Sequence, residues 1–343
     1  MQIKAALLMT LVINTITLQC NNPQWTWLFT KKFSPPEMAG NKQQTSIIFS
    51  KKNVPLFGQL IFSWNAYRPH QGHFSFFTQI YNPKTNQWSE WHKMADWGNN
   101  CQQSYLSKQT TTQFCHVRLE IPEHSLANSL RIKIISSGGA DLSLVQAIAV
   151  NISNFAKFKN IPSSPQFNMP SLIINGIPQQ SQMILDHPRA EHMCSPTSCS
   201  MLVSYLNKSP IDPLSFAQNV YDKGLDSFGS WPFNTAHAFE QCKGTMLFHV
   251  ARLNSFADLY AKLQQSIPVV VSVRGQLNGA PREYKNGHLL LVIGWDHYSK
   301  KVICHDPAFD KNDKVFTLYD FDSFCLAWSR SRNLAFLAEK LPT

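Results

Sequence analysis

The chain changes its periodicity once, and that change constrains the fold more than any other feature of its 343 residues. Before residue 156 the apolar residues come in short runs, over 46–49, 58–64, 74–81, 115–121 and 130–135. Turn-forming clusters separate them: Asn82-Pro83-Lys84, Gly98-Asn99-Asn100 and Ser137-Gly138-Gly139. Residues 116–121 and 131–134 alternate polar and apolar, the period of a strand with one wet face. These runs predict an all-β, sandwich-like domain over 21–160. Residues 156–172 hold Pro162, Pro165 and Pro170 with Ser163 and Ser164, and read as a linker. Beyond it the spacing predicts helices over 198–206, 213–222, 235–241 and 256–265. Strands follow over 268–273, 289–293, 301–305 and 315–319. Helices first and strands last make residues 170–343 an α+β domain. A fragment over 171–343 is expected to be soluble by itself.

Lys4 precedes an apolar run over 5–13, too short to span a bilayer and laid out like a secretory leader over 1–20. The expected location is therefore exported: periplasmic, extracellular or envelope-associated. A lipid-modified cysteine at Cys20 would follow Gln19, which is larger than the small residue such sites favour. No later apolar stretch suits a membrane helix. Export allows disulfides, and Cys101 with Cys115, fourteen residues apart, is the expected pair. The formal charge is +10 and is uneven. Residues 21–160 carry 14 Lys and Arg against 6 Asp and Glu, whereas 161–343 carry 16 against 15. The basic excess suits an anionic envelope polymer or lipid headgroups, or is a solvated face. No phosphate loop, zinc-type Cys/His pair or nucleic-acid motif is present, and no cofactor is called for.

Chemistry concentrates after the linker. Met193-Cys194-Ser195-Pro196-Thr197-Ser198 leads into an apolar helical pattern, with Pro196 suited to a first turn. Free N–H groups and the positive helix end there stabilise a thiolate at Cys194. Asn286-Gly287-His288 opens a wholly apolar run, so His288 sits at a strand mouth, placed to take a proton. Asp306 ends the next strand, and a hairpin through 296–299 brings it beside His288 to fix the imidazole tautomer. Gln182 lies twelve residues before Cys194, with Gln179 and Gln180 as rivals for an amide donor to an oxyanion. His192, His305, Cys199 and Cys304 are set aside on spacing.

Together these segments resemble the C39-type papain-like cysteine peptidases, including the C39-like bacterial exported proteins. The matches are Pro178 to Gln182, Cys194-Ser195-Pro196-Thr197-Ser198, Pro268-Val269-Val270, Gly287-His288 and Asp306-Pro307. Phe62-Ser63-Trp64-Asn65-Ala66, Trp88-Ser89-Glu90-Trp91 and Trp97-Gly98 look like the β domain that precedes some exported members. The resemblance implies a papain-like fold, a Cys194/His288/Asp306 triad, and Gln182 in the oxyanion hole. It implies hydrolysis of peptide or isopeptide bonds through a thioester, with a peptide or protein as substrate. One departure stands out: Ser195 occupies a position where the family has glycine. The alternative is a catalytically weak scaffold that binds an envelope polymer or a protein.

Overall fold

The computed structural model describes residues 24–34, 45–159 and 169–341. The leader over 1–20, with Cys20, and the linker prolines Pro162 and Pro165 lie outside them. The described chain is a mixed helix and sheet structure built on three antiparallel sheets.

The first sheet runs, in spatial order, Thr26–Lys32, Val145–Ser153, Gln59–Ala66, Arg118–Glu120, Gln113–Cys115 and Leu106–Lys108. The second runs Ser46–Lys51, Ser129–Ser137, His73–Asn82, His92–Trp97 and Gln103–Ser104, with Gln87–Trp88 added to His73–Asn82. Trp64 stacks on Phe76 at 4.5 Å between ring centres and Phe62 packs against it at a tilt, 5.3 Å away, so the two sheets share one core. The expected strand over 115–121 is two strands instead. His116 takes a positive φ of 54°, Val117 N–H bonds the Cys115 carbonyl at 2.6 Å, and the chain reverses. The expected disulfide is also absent: the seven described cysteines are all unbonded. Cys101 turns its thiol to Asp96 Oδ2 at 3.5 Å, while Cys115 sits in strand register between Arg118 and Leu106.

The third sheet runs Met246–Arg252, Leu334–Lys340, Val269–Gly275, Tyr284–Asp296, Lys301–His305 and Phe316–Asp320. Leu172–Ile173 pairs with the far end of Tyr284–Asp296. Helices Cys194–Asn207, Pro213–Val220, Trp231–Gln241, Phe256–Gln264 and Phe321–Arg330 pack around it.

Every residue of Gln59–Ala66 is buried, because this strand serves two interiors. Alternate side chains of a strand point to opposite faces. Phe62 and Trp64 enter the core of the first two sheets, whereas Ser63 and Asn65 face the third sheet. Met246–Arg252 is an edge strand there, paired only with Leu334–Lys340. Its free edge is closed by side chains. Asn65 bonds both the N–H and the carbonyl of Phe248 (2.7 and 3.0 Å). Ser63 accepts from Val250 N–H (3.1 Å), and Asn151 from Arg252 N–H (3.2 Å). A half-buried Arg68–Glu240 ion pair at 2.7 Å and an edge-on contact of Trp64 with Phe233 extend the joint.

Candidate active site

The helix Cys194–Asn207 begins at Cys194 itself, four residues earlier than the apolar pattern predicts. Pro196 lies in its first turn, where a missing N–H leaves no acceptor stranded. Its ten residues from Ser195 to Ser204 are all buried, so the helix runs through the interior. Small side chains make this feasible: Ser198 Oγ donates to the Leu289 carbonyl at 3.1 Å, tying the helix to the strand that carries His288. Cys194 is half-buried and lines a cleft shared by the front and back halves of the chain.

His288 lies on Tyr284–Asp296, and the local register is irregular. Val273 pairs with His288 and Gly275 with Tyr284, so two steps on one strand face four on the other. The surplus is taken up over 285–287, where Gly287 adopts a φ of +92°. In a regular strand residues four apart stand about 13 Å from each other. Here the Tyr284 ring folds back to stack on His288, 4.1 Å between centres and 17° between planes.

Asp306 follows Lys301–His305 and is fully buried. Its Oδ1 meets His288 Nε2 at 2.7 Å and accepts the Ala308 N–H at 2.9 Å. Its Oδ2 accepts the hydroxyls of Tyr284 and Tyr319, each at 2.6 Å. With Nε2 on Asp306, Nδ1 is the ring nitrogen left for the thiol, and the imidazole acts on Cys194 electrostatically.

The electrostatics follow from this geometry. Burial works to raise the Cys194 thiol, but the charge of His288 and the backbone N–H groups of Leu289 and Ser195 outweigh it, and the pKa is lowered. Burial works to lower His288, yet Asp306 and the thiolate together raise it from 6.5 to about 9. Burial likewise opposes ionisation of Asp306, and His288 with the two tyrosine hydroxyls lowers it all the same. The shifts run toward the charged form at all three groups: the thiol ionises more readily, and the imidazole holds its proton more tightly, than in water.

Gln182 is fully buried and opens the short 3₁₀ turn Gln182–Ile184. Its Nε2 donates to the carbonyls of Ala190 (3.1 Å) and Glu191 (2.7 Å), in the stretch leading into Cys194. Its Oε1 has no hydrogen-bond partner among the described residues. Gln180 faces another way, donating to the Ile211 carbonyl and accepting from Ser200, and Gln179 is exposed. Ser195 is buried, with its hydroxyl unpartnered among the described residues.

The histidines and cysteines set aside on spacing stand in other surroundings. His305 points away from the cleft, donates from Nδ1 to the Pro178 carbonyl at 3.1 Å, and is pushed down to about 4 by burial. Cys199 and Cys304 are buried thiols raised by burial. His192 is exposed at the cleft rim. Sequence reasoning missed Tyr284 and Tyr319. Tyr284 reaches Asp306 only through the irregular register, signalled in the sequence by Gly287 alone. Tyr319 comes from a different strand and carries no local signature.

Away from the cleft, His73, Asp96 and Cys101 stand within metal-ligand reach of one another. Asp96 already holds the Lys93 ammonium at 2.8 Å and accepts from Ser75 and Tyr105, so a metal would have to displace a cation.

The sequence model of the Peptidase_C39 like family matches residues 174–336. No curated protein matches the chain. Two solved structures are similar. Xylellain, a cysteine protease from Xylella fastidiosa, is 11% identical over 56% of this chain and 94% of its own, with a TM-score of 0.35. A chain from the structure of infectious bursal disease virus Gt strain is 12% identical over 38% of this chain and 31% of its own, with a TM-score of 0.17.

Proposed function

We propose that this chain, whose residues 174–336 match the Peptidase_C39 like family, hydrolyses peptide or isopeptide bonds with a Cys194/His288/Asp306 triad on a papain-like fold. The observation that carries the reading is the Asp306–His288 bond at 2.7 Å beside Cys194, with thiol and imidazole shifted in opposite directions.

In this reading the Cys194 thiolate attacks the scissile carbonyl and forms a C–S bond. The carbonyl oxygen becomes an oxyanion beside the first turn of the nucleophile helix, whose N–H groups lack intrahelical acceptors. Gln182 supplies the second donor, turning one N–H from the carbonyls of Ala190 or Glu191 to the oxyanion. The His288 imidazolium gives its proton to the leaving amine, and the C–N bond breaks. A water then attacks the thioester, His288 takes its proton, and the acid leaves as Cys194 is restored. Asp306 holds Nε2 throughout, so that Nδ1 faces sulfur. The front region is read as a sandwich-like β domain that supplies one wall of the cleft, and the leader over 1–20 as an export signal.

The test is the pH dependence of Cys194 alkylation by iodoacetamide, joined to a proteome-wide cleavage profile. Rapid labelling well below the pH at which an ordinary thiol ionises, together with discrete cleavages lost in Cys194→Ala, supports the enzyme. Labelling of Cys194 only after denaturation would sink it. A second reading, a catalytically silent scaffold, draws on one observation: both Gln182 contacts go to backbone carbonyls. In that case cleavage is absent while the thiol stays reactive.

A further inference from the structure

The charges lining the cleft are sorted by position. Near Cys194 each cation has an acidic partner: Arg189 with Asp226 (2.7 Å), Arg282 with Glu191 (3.6 Å) and Lys285 with Glu283 (3.9 Å). At the end walled by the front region the balance fails. Five arginines, Arg118, Arg252, Arg274, Arg330 and Arg332, meet one carboxylate, Glu120, which Arg118 holds at 2.7 Å. Among the described residues the other four have no ion-pair partner.

Arg252 makes this a built site. It is only 6% exposed. Its guanidinium is fixed by neutral acceptors: Gln59 Oε1 takes Nε (3.0 Å) and Nη2 (2.8 Å), and the carbonyls of Ser331 (2.7 Å) and Arg332 (2.8 Å) take Nη1. Phe155 lies beneath both Arg252 and Arg332, at 5.3 and 5.2 Å. Burial, then repulsion from Arg118 and Arg332, pushes Arg252 down to about 9. Neutral acceptors hold a guanidinium in place but do not cancel its charge, and a buried charge without a counter-ion is costly. An anion entering the cleft supplies that counter-ion.

The arginines stand close to the chemistry. Arg274 directly follows Val273, the register partner of His288. Ser331, which holds Arg252 through its carbonyl, accepts at Oγ from Ser272 at 3.1 Å, and Ser272 pairs with Leu289. An extended chain rises about 3.3 Å per residue, so a few residues beyond the scissile bond span this distance.

We propose that the arginine-lined end of the cleft is a subsite for carboxylates, and that the substrate is a peptide with a cluster of acidic residues to one side of the scissile bond. The proposal rests on the peptidase reading above. A peptide fits better than a lipid surface because these arginines line a concave cleft between two regions, which an extended chain enters and a bilayer does not.

The experiment uses the full chain carrying Cys194→Ala, so that bound peptide stays intact. Calorimetric titration compares a synthetic peptide containing three glutamates with the same peptide containing glutamines, at low salt and at about 0.5 M salt. A glutamate preference of about tenfold or more is expected, reduced by salt and by the double variant Arg274→Gln, Arg332→Gln. Both arginines are exposed, and thermal unfolding checks that the double variant is folded. Equal affinity for the two peptides overturns the proposal, as does a preference that the double variant leaves unmoved. Binding confined to phosphatidylglycerol vesicles overturns it too. Equal cleavage of both peptides by the parent chain removes the acidic subsite and leaves the peptidase reading standing. Glutamate-selective binding without any cleavage keeps the subsite and removes the peptidase reading.

Discussion

The helix Cys194–Asn207 and the strands Tyr284–Asp296 and Lys301–His305 carry the same residue types in two surroundings with opposite chemistry. On the cleft face Cys194 is lowered and His288 is raised to about 9. On the interior side Cys199 and Cys304 are raised, and His305 is lowered to about 4. Burial acts on both sets in the same direction, toward the neutral form. What separates them is company. The cleft face assembles a thiol, an imidazole and a carboxylate in one line, and each holds its neighbour charged. Among the interior groups His305 meets a carbonyl, while Cys199 and Cys304 meet negative neighbours, Cys194 and Asp306, which add to burial in keeping their thiols neutral. Reactivity here belongs to a row of partners rather than to any one residue.

The sharpest way to break that contrast is to remove each sulfur in turn. Cys194→Ala is expected to abolish turnover and the rapid thiol labelling below the pH at which an ordinary thiol ionises, with little change in thermal stability; the half-buried Cys101 and Cys115 label slowly in both proteins. Cys199→Ala should keep activity and lose about 1 kcal/mol of stability from a small buried void. Turnover surviving in Cys194→Ala would end the assignment. Next in size is Asp306→Asn, expected to cost up to about 10⁴ in kcat because the imidazole loses the partner that sets its tautomer. An unchanged rate would mean that Tyr284 alone orients the ring. Gln182→Ala should cost about 10²–10³ in kcat with Cys194 still open to alkylation. Gln179→Ala, at an exposed position, should be near neutral. A large loss in Gln180→Ala with none in Gln182→Ala would transfer the donor role by two residues.

The smallest effect is a displaced pH limb. Activity needs the thiolate and the imidazolium together, so it should fall as pH rises through about 9 and His288 loses its proton. His305→Asn should leave that alkaline limb in place, since His305 is already neutral above about 4. The same shift appears in stability. Because the folded pKa of His288 lies above its ordinary 6.5, its protonation stabilises the fold fully below pH 6.5, and that contribution disappears as pH passes about 9. Stability rising across that window would contradict the ion pair.

Sequence and structure agree where the signal is local. Cys194 opens its helix and Asp306 follows its strand as expected, whereas His288, expected at a strand mouth, lies four residues inside Tyr284–Asp296 because the strand begins before the Gly287 irregularity. The helices over 213–222 and 256–265 and the strand over 301–305 likewise announce themselves by spacing. What escaped depends on contacts distant in sequence. Val145–Ser153 and Met246–Arg252 are buried on both faces, so they lack the alternation that marks a strand. Tyr284 is displaced toward His288 by two surplus residues, which no periodicity records. Arg252 reads as an ordinary basic residue until the front region folds over it.

The side chains that close the free edge of Met246–Arg252 have a consequence for how the halves depend on each other. An open sheet edge is a template on which a second copy can lay a strand. In the intact chain Asn65, Ser63 and Asn151 occupy the donors and acceptor of Phe248, Val250 and Arg252. A fragment over 171–343 would bare those positions together with the ring of Phe233. Contrary to a reading of the linker as a simple hinge between independent parts, such a fragment should self-associate as its concentration rises, which light scattering would detect. A fragment that stays monomeric would show that the edge protects itself. The front half thus acts as a resident guard against misassembly, made before the strand it shields because it comes first along the chain.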